Sequence, residues 1–121
     1  MCPSQILELS YEKKIKLAQD PNTPQETLAI LATDKVLVVR RLVARHPNTS
    51  IETLEVLATD KDIWVRCEVA RHPNTSQETL AILATDEDFD VRCWVARHPN
   101  ATEMIRRLVL MTNEELSTAS H

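Results

Sequence analysis

Apolar residues follow two alternating helical patterns along the chain, and the pair of patterns returns every 26 residues. In the first pattern, leucine and alanine stand at i, i+3 and i+4, as in Leu54, Leu57 and Ala58. This spacing places the three side chains on one side of a helix and predicts a buried stripe. The second pattern extends to the residue before the next proline, where the α conformation is disfavoured. Whether this second helix is α or partly 3₁₀ is left open by the pattern.

The repeated segment begins with His-Pro-Asn-Thr at His46 and His72, with an earlier copy at Asp20 and a weaker copy at His98. A fixed period of this length is typical of stacked two-helix units. We therefore predict an all-α solenoid of 26-residue two-helix repeats. Its parts are a degenerate N-terminal capping half-repeat (residues 1–20), three full repeats (21–46, 47–72 and 73–98) and a C-terminal partial capping repeat (99–121). The last residues, 113–121, are expected to be frayed.

Polar residues at the helix boundaries predict the helix caps. Each first helix is preceded by a threonine that stands three residues before a glutamate, the spacing of a capping box. These threonines are Thr23, Thr49 and Thr75, and Pro24 is expected at the first helical position. An aspartate ends each first helix and is a candidate N-cap of the second helix. These aspartates are Asp34, Asp60 and Asp86.

At about 100° per residue, the second helix of the first full repeat has two sides. The nearly all-aliphatic side, which we expect to face the core, contains Val36, Leu37, Val39, Arg40, Val43 and Ala44. The other side, which we expect to face solvent or a partner, contains Val38, Arg41, Leu42 and Arg45, with His46 at its edge.

One arginine per repeat lies on the core-facing side: Arg40, Arg66 and Arg92. A buried charge needs an acceptor, and an aspartate stands six residues earlier in every repeat. We therefore predict an Asp/Arg ladder, in which each arginine pairs with Asp34, Asp60 or Asp86 of its own or a neighbouring repeat. Anion binding by these arginines is the alternative.

The outward side carries an arginine at the same position of three repeats: Arg45, Arg71 and Arg97. The neighbouring positions on this side hold Val38, Arg41, Leu42, Trp64 and Trp94. Two of only four aromatic residues beside a row of arginines are typical of a recognition surface. In the alternative interpretation, the arginine stems lie over the tryptophans and simply cover apolar surface.

Metal binding and catalysis find little support in the residue pattern. Equivalent histidines of stacked repeats (His46, His72 and His98) lie about 10 Å apart, the distance between packed helices, so one zinc ion does not bridge them. Hydrogen bonds from these histidines to the last carbonyls of a helix are favoured instead. Cys67 and Cys93 are too far apart for a disulfide on the same reasoning. We predict no metal site, no cofactor and no enzymatic activity.

Composition narrows the choice of partners. The net charge of −4 argues against strong non-specific binding to DNA. The sequence contains no glycine, which excludes glycine-rich phosphate loops. No signal-like or membrane-spanning apolar run is present, so we expect a cytoplasmic protein without membrane contact.

The second full repeat resembles a known family. It contains Leu54, Leu57-Ala58, Asp60, Val65-Arg66, Val69-Ala70 and His72-Pro73-Asn74-Thr75. This run is similar to the leucine-rich repeat variant (LRV), and the similarity covers about residues 20–100. The resemblance implies a right-handed superhelix of alternating α and 3₁₀ helices.

The Asp-to-Arg spacing also resembles that of HEAT repeats, whose Asp/Arg ladder joins neighbouring units. Some LRV proteins hold an N-terminal iron–sulfur cluster with several cysteines, whereas only Cys2 lies near this N-terminus, so no cluster is carried over. Related HEAT-like DNA glycosylases grip duplex DNA with a concave basic face. Arg45, Arg71, Arg97 and Trp94 would be the matching residues.

Together these patterns predict a non-catalytic scaffold that binds a protein with an acidic or polar surface through the second helices. Nucleic-acid binding along the arginine row is one alternative. Self-association through the solenoid ends is another, and it would use Met104, Leu108, Leu110 and Met111. A monomer or a weak homodimer is expected.

Overall fold

The computed structural model describes residues 2–119, and this range is folded into nine helices without a β-strand. The helices are α1 (Pro3–Leu7), α2 (Tyr11–Gln19), α3 (Gln25–Leu31), α4 (Leu37–Arg45), α5 (Ile51–Leu57), α6 (Ile63–Arg71), α7 (Gln77–Leu83), α8 (Phe89–Arg97) and α9 (Glu103–Ala119). The predicted all-α repeat solenoid is confirmed.

The helices form two layers with different packing. The second helices α4, α6 and α8 pack directly on one another, and α2 and α9 continue this layer at its two ends. The first helices α3, α5 and α7 have little direct contact among themselves and pack between the second-layer helices that precede and follow them. Helix α3 also packs closely on α1. The second helices therefore present one continuous surface along the stack.

All the helices within residues 2–119 are α-helices, so the alternation with 3₁₀ helices implied by the family resemblance is not found there. Backbone hydrogen bonds of the i→i−3 type occur at helix ends and in the turns between helices, as where the His72 N–H donates to the Val69 carbonyl at 3.1 Å. The Asp62 carbonyl accepts from the Arg66 N–H, so the second helix has α hydrogen bonding from its start. The histidine that follows each second helix ends it with extended backbone.

The core is a column of leucines from the first helices and valines from the second helices. These side chains are at most 1% exposed: Leu28, Leu31, Leu54, Leu57, Leu80, Leu83, Val39, Val43, Val65, Val69, Val91 and Val95. Leu37 does not belong to this core, contrary to the prediction, because it is 37% exposed. As the first residue of α4, Leu37 projects its side chain toward a turn that the helix does not have.

The first helices begin one residue later than predicted. Ser50 and Ser76, not the preceding threonines, are the N-caps, and each serine hydroxyl accepts a hydrogen bond from a backbone N–H of the first turn. Pro24 occupies the N-cap of α3 rather than its first helical position. The hydroxyl of buried Thr49 donates to the Val43 carbonyl at 2.6 Å. The threonines therefore satisfy the end of the preceding helix, which leaves the serines to cap the next helix.

Loss of this cap has a defined expected cost. Replacing Ser50 with alanine should lower the free energy of unfolding by about 1 kcal/mol, because the Thr53 N–H loses its acceptor. Ser50→Thr keeps a capping hydroxyl and should stay within about 0.5 kcal/mol of the wild type. Urea denaturation of the two variants checks this. Equal stability of both variants would show that Ser50 is not the cap.

The second helices also have caps other than those predicted. Asp62 and Asp88 are the N-caps of α6 and α8, whereas Val36 holds this position in α4 without a side-chain cap. Asp60 stands two residues before the cap, and its Oδ1 accepts from the Asp62 N–H at 2.9 Å. Its other oxygen, Oδ2, remains available to an arginine.

The C-terminal segment is more ordered than expected. Helix α9 continues to Ala119, so the predicted fraying is wrong for residues 113–119, while residues 120 and 121 lie outside the described range. Asn113 accepts a hydrogen bond from Arg92, and the neighbouring Thr112 is buried. These contacts attach the second half of α9 to the last full repeat.

Candidate interaction surface on the second helices

Each arginine on the core-facing side joins two repeats. Arg40 Nε lies 2.7 Å from Asp60 Oδ2, and Arg66 Nε lies 2.8 Å from Asp86 Oδ2. In both pairs the aspartate belongs to the following repeat, and all four side chains are about nine-tenths buried. Nη1 of Arg66 donates at 2.9 Å to the carbonyl of Asp60, six residues earlier. The sequence left open whether each arginine pairs with an aspartate of its own repeat or of a neighbouring one. The carboxylate comes from the neighbouring repeat, and the carbonyl that also accepts from the arginine belongs to the arginine's own repeat.

The ladder is extended at both ends by other residue types. Lys14 Nζ lies 2.6 Å from Asp34 Oδ2 in the N-terminal half-repeat, and Arg92 Nε donates at 2.6 Å to the amide oxygen of Asn113. The pKa of Arg66 is raised: desolvation acts to lower it, but the hydrogen bond to Asp86 and the negative charges of Asp86, Glu87 and Asp88 together outweigh desolvation. This arginine remains positively charged within the stack.

The histidines form a second column of contacts between repeats. Nε2 of His72 lies 2.7 Å from the His46 carbonyl, and Nε2 of His98 lies 2.7 Å from the His72 carbonyl. Nδ1 of His72 accepts from the Asn74 N–H at 3.0 Å. All three histidines are buried, so His46 does not lie at the edge of the outward side as predicted. Each histidine attaches its His-Pro-Asn segment to the preceding repeat through Nε2 and accepts a hydrogen bond within its own segment through Nδ1.

Residues 2–119 contain no group of three histidine, cysteine or acidic side chains that could hold a metal ion. Cys67 is buried, and its pKa is raised to about 11, mainly by desolvation and further by the negative charges of Asp88, Asp90 and Asp86. Its thiol is therefore protonated at neutral pH and is a poor nucleophile.

The predicted outward residues lie on one surface, which we call the second-helix face: the exposed side of α4, α6 and α8. Trp64, the second residue of the middle helix α6, is 56% exposed, and Val38 is exposed on the preceding helix. Leu42 and Trp94 are half-buried and pack against the core. The four arginines Arg41, Arg45, Arg71 and Arg97 are exposed.

Arginines lie over both tryptophans. The Arg41 guanidinium is 5.8 Å from the centre of the Trp64 ring. The Trp94 ring has two neighbours, Arg71 at 4.5 Å and Arg97 at 5.7 Å. These distances permit cation–π attraction. The arginine side chains therefore cover part of both tryptophan rings, as in the alternative interpretation of the sequence, while part of each ring remains exposed. Trp94 is the more covered ring, and Trp64 offers more free area to a partner.

The buried carboxylate of Glu68 forms ion pairs with arginines of the second-helix face. No role was predicted for this residue from the sequence. Glu68 lies among three arginines: Arg45 Nε is 2.9 Å from its carboxylate, Arg71 Nη1 is 3.3 Å away, and Arg41 Nε is 3.9 Å away. It occupies the position held by Leu42 and Trp94 in the adjacent repeats. Three guanidiniums around one carboxylate leave a positive local charge. The Glu68 carboxylate holds the Arg45 and Arg71 side chains in place.

A row of exposed apolar residues was also missed. The first residue of each second helix and of α2 is apolar or aromatic and exposed: Tyr11, Leu37, Ile63 and Phe89. We call this row the apolar edge, and it borders Val38 and Trp64 in sequence. The recurrence of apolar residues at one boundary position was the available signal. It was hidden because the helical pattern assigned Leu37 to the core.

The predicted association residues at the C-terminal end lie on α9. Met104, Leu110 and Met111 are exposed, and Leu108 is half-buried. Self-association through these residues remains a prediction.

Comparison with protein families gives a match to the leucine rich repeat variant over residues 37–62 and 63–88. Two consecutive repeats thus match this family, which is consistent with a leucine rich repeat variant repeat protein. The two LRV units are consecutive and have the predicted period, but they are framed from the start of α4 and of α6. No curated protein and no solved structure matches the chain. LRV repeats generally serve as scaffolds for interactions.

Within residues 2–119, no helix is long and apolar enough to cross a membrane.

Proposed function

We propose that this LRV protein is a non-catalytic scaffold that binds another protein through its second-helix face. The observation that carries the proposal is the position of Trp64: a large aromatic side chain, 56% exposed, on α6, the middle helix of the face. Tryptophan and arginine are the residues most enriched among energetically dominant interface contacts. The apolar edge beside Trp64 extends the area that a partner would remove from water.

Charge on the face indicates the chemistry of the partner. Glu68 neutralises one of the three guanidinium charges around it, and Arg97 adds another charge beside Trp94. Because Arg45 and Arg71 are held by Glu68, their remaining N–H groups are positioned to donate to acceptors on a partner. We infer an acidic or polar surface on that partner.

Nucleic-acid binding along the same row is a weaker alternative. Glu68 places a negative charge among the arginines that would contact phosphates, and the whole chain has a net charge of −4. A mobility shift with duplex DNA at low salt would favour this alternative over protein binding.

Removing both tryptophans should abolish partner capture. In Trp64→Ala/Trp94→Ala, the partner loses the two anchors that it contacts, each worth about 2 kcal/mol or more in a typical hot spot. Because the loss of one such anchor alone lowers the affinity about 30-fold, affinity capture from cell extract is expected to recover the partner with the wild type and not with the double variant.

Ile82→Ala is the matched control, because Ile82 is 59% exposed but lies on first helix α7. Its capture profile should equal that of the wild type. Circular dichroism of the double variant checks that the helices remain, since Trp94 also packs on the core. Equal capture by the wild type and a folded double-tryptophan variant would contradict the proposed function.

A further inference from the structure

The third rung of the ladder differs from the two before it. Arg92 is as deeply buried as Arg40 and Arg66, with 4% of its surface exposed. Its Nε donates to Asn113 at 2.6 Å, and its Nη1 donates to the Asp86 carbonyl at 2.7 Å. Both acceptors are neutral amide oxygens. In the two preceding rungs, a carboxylate stands where Asn113 stands.

The difference leaves one nitrogen of Arg92 without an acceptor among residues 2–119. Nη2 of Arg40 and Nη2 of Arg66 each donate at 3.3 Å to the Oδ1 of their aspartate. Nη2 of Arg92 makes no hydrogen bond to any of residues 2–119. No buried side-chain nitrogen or oxygen of residues 2–119 lacks a hydrogen-bond partner, so the unpaired Nη2 itself reaches the surface. A guanidinium is always protonated, and within these residues the third rung contains a positive charge with no carboxylate bonded to it.

A cavity of about 780 Å³ opens at this arginine. Its walls include Phe89, Asn113, Glu114 and Leu116, and the Phe89 ring centre lies 5.6 Å from the Arg92 guanidinium. The volume lies within the range of small-ligand pockets. The cavity lies at the end of the stack formed by α8 and α9, and it shares Phe89 with the apolar edge. The inference rests on Arg92 and does not depend on the proposed function.

We propose that this cavity binds a carboxylate group of a partner polypeptide, which accepts a hydrogen bond from Arg92 Nη2. The bound carboxylate would supply the charge that Asp60 and Asp86 supply in the earlier rungs. Phe89 and Leu116 would contact the apolar part of the residue that carries it. The bond is charge-assisted and is formed in a partly desolvated site, which strengthens it.

The wall of the cavity favours a carboxylate over a phosphate. Glu114 lines the cavity and carries a negative charge of its own. One guanidinium beside one carboxylate leaves little attraction for a dianion, whereas a singly charged group is repelled less. The carboxylate has two possible sources, an acidic side chain or a chain terminus, and both offer the same pair of oxygens.

The test follows the arginine Nε–H resonances of ¹⁵N-labelled protein during titration with sodium acetate. We expect the Arg92 signal to shift saturably, while Arg40 and Arg66 shift no more than in sodium chloride at equal ionic strength. Inorganic phosphate should bind more weakly than acetate. An Arg92 response equal to that of the other two arginines, or tighter binding of phosphate, would overturn the proposal.

Asn113→Asp supplies the decisive variant. It places in the chain the residue type that Arg40 and Arg66 already have, so the fold should be retained. We expect the acetate affinity of Arg92 to fall at least tenfold in this variant, and unchanged affinity would refute the proposal. In the wild type, N-acetylalanine carries a terminal carboxylate and N-acetylaspartic α-amide a side-chain carboxylate. The compound that binds more tightly identifies the source. If neither compound binds, the proposal is overturned.

Discussion

Asp60→Ala is expected to lower the free energy of unfolding by about 3–5 kcal/mol, because it leaves the buried Arg40 guanidinium without its carboxylate. The change also removes the acceptor of the Asp62 N–H at the start of α6. Both losses fall at the junction of the first two full repeats, where unfolding of one repeat exposes the next. Urea denaturation followed by circular dichroism measures the effect.

Glu55→Ala is the matched control for this substitution. It removes the same charge from the exposed side of α5 and should change the free energy of unfolding by no more than about 0.5 kcal/mol. If Asp60→Ala were no more destabilising than Glu55→Ala, the Asp/Arg pairs would not hold the repeats together.

His72→Ala is expected to lower the free energy of unfolding by about 2–4 kcal/mol at pH 8. The variant leaves the His46 carbonyl and the Asn74 N–H without their partner and opens a cavity between repeats. His72→Gln, which keeps polar atoms in the site, should recover part of the loss. A loss below 0.5 kcal/mol for the alanine variant, on the order of a surface substitution, would contradict a structural role for the histidine column.

The same histidine should make stability depend on pH. The pKa of His72 is lowered by desolvation, and the positive charges of His46 and His98 lower it further, whereas the bond to the His46 carbonyl acts to raise it. Because Nδ1 accepts from the Asn74 N–H, protonation there would break that bond. Above the unfolded pKa of about 6.5, His72 is neutral in both states and its full contribution is present.

As the pH falls below this value, the unfolded chain binds the proton first, so the contribution of His72 is lost down to its folded pKa. The stability difference between wild type and His72→Ala should therefore shrink from pH 8 to pH 5. Urea denaturation at intermediate pH values follows the change. A difference that is constant with pH would show that His72 titrates alike in both states.

The sequence predicted the fold well because the 26-residue period reports directly on the architecture. Leu54 and Leu57 recur at helical spacing in every repeat, and only stacking buries their stripe. Boundaries were less predictable. Thr49 and Ser50 are both good caps, and the tertiary bond from Thr49 to Val43 decides between them. Fraying was predicted for the end of α9 because nothing in its sequence announces the contact of Asn113 with Arg92.

The surface was predicted only in part. The outward side of a helix follows from its period, so the exposure of Trp64 was accessible from the sequence. The burial of Glu68 was not, since it depends on arginines that converge from α4 and α6. Leu37 shows the same limit, because a periodic pattern takes no account of where a helix begins. The contacts between repeats and the positions of the helix ends could therefore not be predicted from the periodic pattern.

A photo-crosslinking residue tests most directly the proposal that the second-helix face binds a partner. The residue would replace Trp64 on the second-helix face or Ile82 on the first helices, two positions of nearly equal exposure, 56% and 59%. After irradiation in cell extract, the variant at position 64 is expected to form one dominant covalent adduct that the variant at position 82 does not form. The same adduct in equal or greater yield from position 82 would contradict binding through the second-helix face.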